Sequence, residues 1–353
     1  EVGAGRHGRL RMRAWGEWPP SVPRRDPGGQ GGKRSGRASP ARFAAFDFRP
    51  ARGLATIGAP QSLPDEIPMT PEIKTLAVLG AGTMGHGIAG QAARFGCTVV
   101  LNDIDEARVQ KGLDAVRATF RTAVDKGKMT ADEAAASLDR LRGEVSVEAA
   151  VASADLVVEA VPEQMPLKRA LFERVEAAAP AHALLGTNTS SLSITEIASA
   201  TKTPARVVGL HFFNPVAVMP LLEIVRGEHT ADAVVAAARA FGERIQKTCI
   251  VVRDSPGFAT SRLGIALGNE AMRMFEEGVA SAEDIDKAMV LGYRHPIGPL
   301  ALTDLVGLDV RLAISEHLHR ELGTDTFRPP QVLRRMVRAG KLGKKTGEGF
   351  YKY

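Results

Sequence analysis

A chain of 353 residues with 44% hydrophobic content is long enough for about two domains with sizeable cores; it has no apolar run near the roughly 18 residues that span a bilayer and no N-terminal secretory h-region, so a membrane partner is excluded and a soluble, cytoplasmic protein is expected. The net charge of +6 would suit a nucleic-acid binder, but residues 1–68 carry all of it, with 12 of the 46 Lys and Arg and 6 of the 40 Asp and Glu, leaving 34 of each sign beyond. A neutral body offers no basic face for tracking phosphates, so nucleic acid is excluded as a partner.

Residues 1–68 are crowded with Gly, Pro and Arg, include Trp15 and Trp18, and follow neither a helical nor a strand period. That texture predicts a disordered leader. It lacks the amphipathic spacing of a mitochondrial presequence. The expected account is translation from upstream of a native start at Met69, and such a start would enter the fold at once.

Leu76–Leu79 is a continuous apolar run of buried-strand type, Gly80-x-Gly82-x-x-Gly85 follows directly, and Met84 to Phe95 has helical spacing. Strand, glycine turn and helix in that order form a dinucleotide site. Gly80 permits the tight turn, Gly82 has no Cβ to hold off a pyrophosphate, and Gly85 lets helix and strand approach. The phosphates then sit on the free N–H groups of a helix start, beside Thr83 and Met84. The next strand, Val99 to Asp103, ends in an acid about 20 residues past the glycines, placed to hydrogen-bond the adenosine ribose. The charge of Asp103 repels a 2′-phosphate, and its neighbours Asn102 and Ile104 supply no arginine in compensation. NAD is the expected cofactor.

Ala107 to Lys126 and Met129 to Leu141 read as a helical pair. Asp155 to Val161 is a buried strand, and Pro166 to Ala178 a helix with Pro in its first turn. Further strands are Ala183–Gly186, Arg206–Leu210, Leu221–Val225 and Thr248–Val252, with a helix at Ala231–Ile245. Alternation of strands and helices predicts a mostly parallel sheet covered on both faces, with functional residues beyond the carboxyl ends of its strands. After Asp254-Ser-Pro-Gly257 the texture changes to helices alone: Ala259–Glu277, Ala282–Leu291, a segment around Leu300–Leu305, Asp309–Leu322 and Gln331–Ala339. The fold class is therefore α/β, with a Rossmann-type doubly wound sheet followed by an all-α domain. The expected division is a leader at 1–68, an NAD-binding domain at 69–254 and a helical domain at 255–353. Cys97 and Cys249 lie in apolar strand-like surroundings without metal-ligand spacing, so they read as reduced core residues, and no metal is expected.

Four motifs, Gly80-Ala-Gly-Thr-Met-Gly-His-Gly-Ile-Ala89, Asn188-Thr-Ser-Ser-Leu192, His211-Phe-Phe-Asn-Pro215 and Gly343-Lys-Lys-Thr-Gly-Glu-Gly-Phe-Tyr351, occur together in an order and spacing that resembles the L-3-hydroxyacyl-CoA dehydrogenases, particularly the short bacterial 3-hydroxybutyryl-CoA type. The resemblance runs from about Ile73 to the C-terminus. It implies His211 and Glu223 as a catalytic pair, and the chemistry suits them. Taking hydride from a secondary alcohol requires a base for the hydroxyl proton, and a neutral imidazole titrates in the right range. A carboxylate on its other nitrogen fixes the tautomer and stabilises the imidazolium.

The resemblance further implies that Ser190 hydrogen-bonds the substrate oxygen, with Ser191 or Ser193 left to cap the next helix. Ser261 stands where the family has an asparagine, and its shorter hydroxyl can still donate to the carbonyl oxygen. Cofactor contacts outside the glycine turn are implied at Glu163, Lys168, Asn188, Asn214 and Lys345. Lys168 and Lys345 also read as plain surface charges. Lys126 and Lys128 fall in the family's region for the CoA phosphates. The implied partner is an acyl-CoA substrate, and the implied assembly a homodimer through the helical domain. Two other functions share these features: an L-gulonate 3-dehydrogenase-like oxidoreductase, and a catalytically weakened, crystallin-like NAD-binding protein.

Overall fold

Eight strands form one sheet around β1 (Thr75–Leu79), whose five residues are almost wholly buried. The structure, a computed structural model, describes residues 72–353. The expectations for the leader and for Met69 lie outside the described residues. From β1 the chain turns through the glycines into α1 (Thr83–Arg94) and returns as β2 (Thr98–Asn102), parallel to β1. Then come α2 (Glu106–Asp125), α3 (Ala131–Leu138), β3 (Leu141–Glu144) and α4 (Val147–Val151). β4 (Leu156–Glu159) crosses to the other side of β1, and α5 (Met165–Ala178), β5 (Leu184–Thr187), α6 (Ile194–Ala198) and β6 (Val207–Phe212) extend the sheet in that direction. β7 (Leu221–Arg226), α7 (Asp232–Arg244) and β8 (Thr248–Arg253) complete it. The strand order is β3-β2-β1-β4-β5-β6-β7-β8, which puts the reversal of winding between β1 and β4. In such sheets ligands bind beyond the carboxyl ends of the strands at that reversal.

Parallel strands are buried on both faces and so read as unbroken apolar runs, which is why β1, β2, β4 and β5 are visible in sequence. One core, with Leu76, Val78 and Ile88, fills one face of the sheet, and a second, with Ala77, Leu79 and Phe172, fills the other. β3 is a correction to the reading of Met129–Leu141 as one helix. Thr130 opens α3 with a capping box, the helix stops at Leu138, and Leu141 begins a strand of Leu-Arg-Gly-Glu. No apolar run marks this strand, because it is an edge strand whose conformation comes from pairing with β2. The five-residue α4 is too short to show a period, though Ser146 caps it.

The sheet is parallel except between β6 and β7. The eight residues that join these strands are too few for a crossover, which forces an antiparallel pairing. In its register His211 lies directly opposite Glu223.

Five α-helices follow: α8 (Thr260–Glu276), α9 (Ala282–Lys287), α10 (Pro299–Val306), α11 (Leu308–Leu322) and α12 (Gln331–Arg338). They enclose a core of their own around Met272, Leu300 and Leu333. The segment read as one helix to Leu291 changes at Ala288 into a π-helical turn. The tail is docked by Asp304, which accepts from the N–H groups of Phe350 and Tyr351, each at 2.9 Å. No helix among the described residues is long and apolar enough to cross a membrane. Cys97 is buried and Cys249 half-buried, both as free thiols. Among the described residues, no three His, Cys, Asp or Glu side chains gather into a metal cluster.

Candidate active site

The glycine turn follows from three different constraints. Gly80 has φ +102°, and a Cβ there would lie 2.7 Å from the carbonyl oxygen of Ala160. A Cβ on Gly85 would collide with the carbonyl oxygen of Gly80, whereas one on Gly82 would meet nothing within 4 Å. The turn thus needs Gly80 and Gly85 for its own packing, and Gly82 leaves open space in front of the start of α1. That helix has no side-chain cap, so its first N–H groups are free for an anion. The turn opens onto a cavity of about 680 Å³ walled by Gly80, Gly82, Thr83, Met84 and Asp103. Asp103 is fixed by the backbone, accepting from the N–H of Ala81 and of Ile104, both at 2.8 Å. An adenosine ribose can use its remaining lone pairs, so the residues present fit NAD.

At the carboxyl end of β4 lies a buried ionic cluster. Lys168 is 1% exposed and donates to Glu159 at 2.6 Å, with Glu163 3.3 Å away. Its reading as a surface charge is overturned, since a lysine is buried only when paired. Glu159 also accepts from the Thr187 hydroxyl at 2.7 Å. Glu163 gathers the next loop, accepting from the Thr189 hydroxyl at 2.6 Å and from the N–H of Ser190 at 3.0 Å. The Ser190 hydroxyl is 3.4 Å from the same oxygen. Burial alone would raise the Glu163 carboxyl, but Lys168 and these hydrogen bonds hold it below the ordinary carboxylate value. Asn188 ties this loop to β6 by accepting from the Phe212 N–H at 2.9 Å. The cap of α6 is Ser193, which accepts from the Glu196 N–H and donates to Asp254.

His211 is 6% exposed, and its Nδ1 is 2.7 Å from Glu223, which is completely buried. A carboxylate can only accept, so Nδ1 carries the proton and Nε2 is left as the acceptor. The rings of Phe213 and Phe258 flank the imidazole at 4.4 and 5.9 Å between centroids. Glu223 is held from the far side as well. Its carboxylate accepts from the N–H groups of Ala259 and Thr260, at 3.2 and 3.0 Å, and from the Thr260 hydroxyl at 2.7 Å. Burial would raise this carboxyl too, and the hydrogen bonds from His211 and Thr260 outweigh it, leaving it below its ordinary value. Glu223 is no surface glutamate, and it stays ionised opposite the imidazole.

Ser261 follows Thr260 directly in the first turn of α8 and is half-buried. Asn214, exposed beyond the end of β6, lines a small cleft of about 80 Å³ with Thr83, His86 and Thr119. Ala123 also lines that cleft, one turn before Lys126, and both Lys126 and Lys128 are exposed at the end of α2. Lys345 is not brought into either cavity; it pairs with Asp309 at 2.7 Å within the helical part of the chain. Two residues of the site went unread in the sequence. Glu159 had a signal, as an acid closing a buried strand. Thr260 had none, because its contact with Glu223 exists only once α8 packs against β7.

Residues 75–255 match the family model for the 3-hydroxyacyl-CoA dehydrogenase NAD binding domain, and residues 257–353 the model for its C-terminal domain. A probable 3-hydroxybutyryl-CoA dehydrogenase of Bacillus subtilis is 44% identical over 80% of this chain and 98% of the relative. The 3-hydroxybutyryl-CoA dehydrogenase of Clostridioides difficile is 42% identical over 79% of this chain and 99% of the relative. The crystal structure of (S)-3-hydroxybutyryl-CoA dehydrogenase from Ralstonia eutropha superposes with a TM-score of 0.77 at 42% identity, covering 80% of this chain and 99% of the other.

Proposed function

This chain belongs to the 3-hydroxyacyl-CoA dehydrogenase family, and we propose that it interconverts short-chain L-3-hydroxyacyl-CoA thioesters, such as 3-hydroxybutyryl-CoA, and their 3-oxo forms. NAD, when bound, accepts the hydride. The observation that carries this reading is the buried His211–Glu223 pair, set by strand register at the same sheet end as the glycine turn. In the oxidation, Nε2 of His211 takes the hydroxyl proton while Glu223 stabilises the imidazolium. Ser190 donates to the substrate oxygen, and Ser261 lies in the first turn of α8 to add a second donor to that oxygen. Gly80, Gly82, Thr83, Met84, Gly85 and Asp103 hold the cofactor, with Glu163, Lys168, Asn188 and Asn214 around its reacting end. Lys345 would have to exchange Asp309 for the cofactor to join them. Lys126 and Lys128 offer cations to the CoA phosphates.

Residues 69–254 are read as the NAD-binding domain and 255–353 as the helical domain for substrate and dimer contacts. The exposed Leu263, at 71%, and Leu305, at 56%, support a homodimer through that domain. The setting is cytoplasmic fatty-acid metabolism by beta-oxidation. Oxidation of NADH on addition of acetoacetyl-CoA tests the function; a protein that binds NADH yet leaves acetoacetyl-CoA unreduced refutes it. Ser261 favours a second reading, an NAD-binding protein with weakened turnover, and the same assay separates the two.

A further inference from the structure

Arg108 stands in the wall of the cofactor cavity with Asp103, and neither phosphate binding at the glycine turn nor proton transfer uses it. Asp105 caps α2 by accepting from the Arg108 N–H at 2.8 Å, which fixes Arg108 in the first turn of that helix. Its side chain is 62% exposed, and its nearest approach to Asp105 is through Nε, at 3.3 Å. Among the described residues its two terminal NH₂ groups have no partner. Arg174, the other cation of the wall, spends Nε and one NH₂ group on Glu148, at 3.1 and 2.9 Å. The immediate neighbours of Asp103 supply no arginine, yet the first turn of α2 brings one round to the cavity.

We propose that Arg108 is a ready-made site for the 2′-phosphate of a dinucleotide, and that the charge of Asp103 alone keeps the cavity selective for the unphosphorylated form. This rests on reading the cavity as the dinucleotide site. A ribose hydroxyl donates to the Asp103 carboxylate, whereas a dianionic phosphate brings no proton and meets a like charge. The planar fork of a guanidinium, with both NH₂ groups free, matches two phosphate oxygens at once. NADP(H) is thus excluded by repulsion from one carboxylate, in a cavity that already holds the cation for it.

The informative substitution is Asp103→Asn. It keeps a carbonyl to accept from the buried turn at Ala81, removes the charge and puts an amide donor in place of the oxygen that faces the Ile104 N–H. The Ile104 N–H loses its acceptor, but it is exposed and water replaces the bond. Dissociation constants for NADH and NADPH, read from cofactor fluorescence, and kcat/KM with each cofactor and acetoacetyl-CoA are measured for wild type, D103N, R108L and D103N/R108L. D103N is expected to shift the NADPH-to-NADH affinity ratio by about a hundredfold, and adding R108L to remove about tenfold or more of that gain. R108L alone should lower the residual NADPH affinity of the wild type by the same factor, so the proposal stands or falls even where D103N folds poorly. Equal NADPH binding by D103N and D103N/R108L overturns it, as does a D103N protein that binds NADH and still rejects NADPH. A wild type that binds neither cofactor overturns both this proposal and the dinucleotide reading, and is told apart by its silence toward NADH.

Discussion

The two halves of the site are built in opposite ways. The glycine turn is largely local: Gly80 to Gly85 are consecutive, Gly85 is constrained by the Gly80 carbonyl, and the neighbouring strand ends add Asp103, the Asn102 carbonyl that accepts from the Gly80 N–H, and the Ala160 carbonyl behind Gly80. The His211–Glu223 pair is assembled from three separate elements, β6, β7 and the start of α8, the last of them 36 residues beyond Glu223. A local site can lose one member and keep its shape, whereas an assembled one depends on every piece that arrives. The first half is therefore expected to tolerate graded damage and the second to fail steeply.

The largest expected effect is at the assembled half. His211→Ala should lower kcat at least about a thousandfold while the dissociation constant for NAD stays within a few-fold, since the imidazole takes no part in holding phosphates. Loss of both together would erase the distinction between the halves. Glu223→Gln should cost about a hundredfold in kcat. It should also change stability with pH. The folded carboxyl lies below its ordinary value of 4.5, so its contribution is complete above that value and drains away as pH falls through the folded one. Urea titrations of wild type and Glu223→Gln should converge as the pH is lowered, and parallel curves would show that the carboxylate is not the source.

The glycines sharpen the contrast from the other side. Gly82→Ala should fold normally, with melting temperature unchanged within a degree or two, and weaken NAD about tenfold, because its Cβ enters only the space in front of α1. Gly85→Ala should lower the melting temperature, since its Cβ would overlap the Gly80 carbonyl oxygen. The smallest effect is expected at Ser261→Asn. A longer donor aimed at the developing alkoxide should leave kcat equal or raise it a few-fold, and abolition of activity would mean that the cleft is shaped around serine.

Legibility in the sequence follows the same division. The turn, its flanking strands and Asp103 could be read because each is signalled within a few residues of itself. His211 and Glu223 were legible as residue types in a motif, but their separation of 2.7 Å is a property of antiparallel register, which the shortness of the β6–β7 connection fixes only after the strands are known to pair. Lys168 looked like an exposed helix charge because the acid that buries it, Glu159, lies on another element. β3 escaped because an edge strand needs a neighbour's hydrogen bonds rather than apolar side chains of its own. Thr260 escaped because a hydroxyl at a helix start has many uses, and only the packing of α8 selects this one.

That clamp on Glu223 also orders events in time. Its donors are residues 259 and 260, later in the chain than every strand of the sheet, so a polypeptide leaving the ribosome has all eight strands synthesised before the carboxylate behind the proposed base can be clamped.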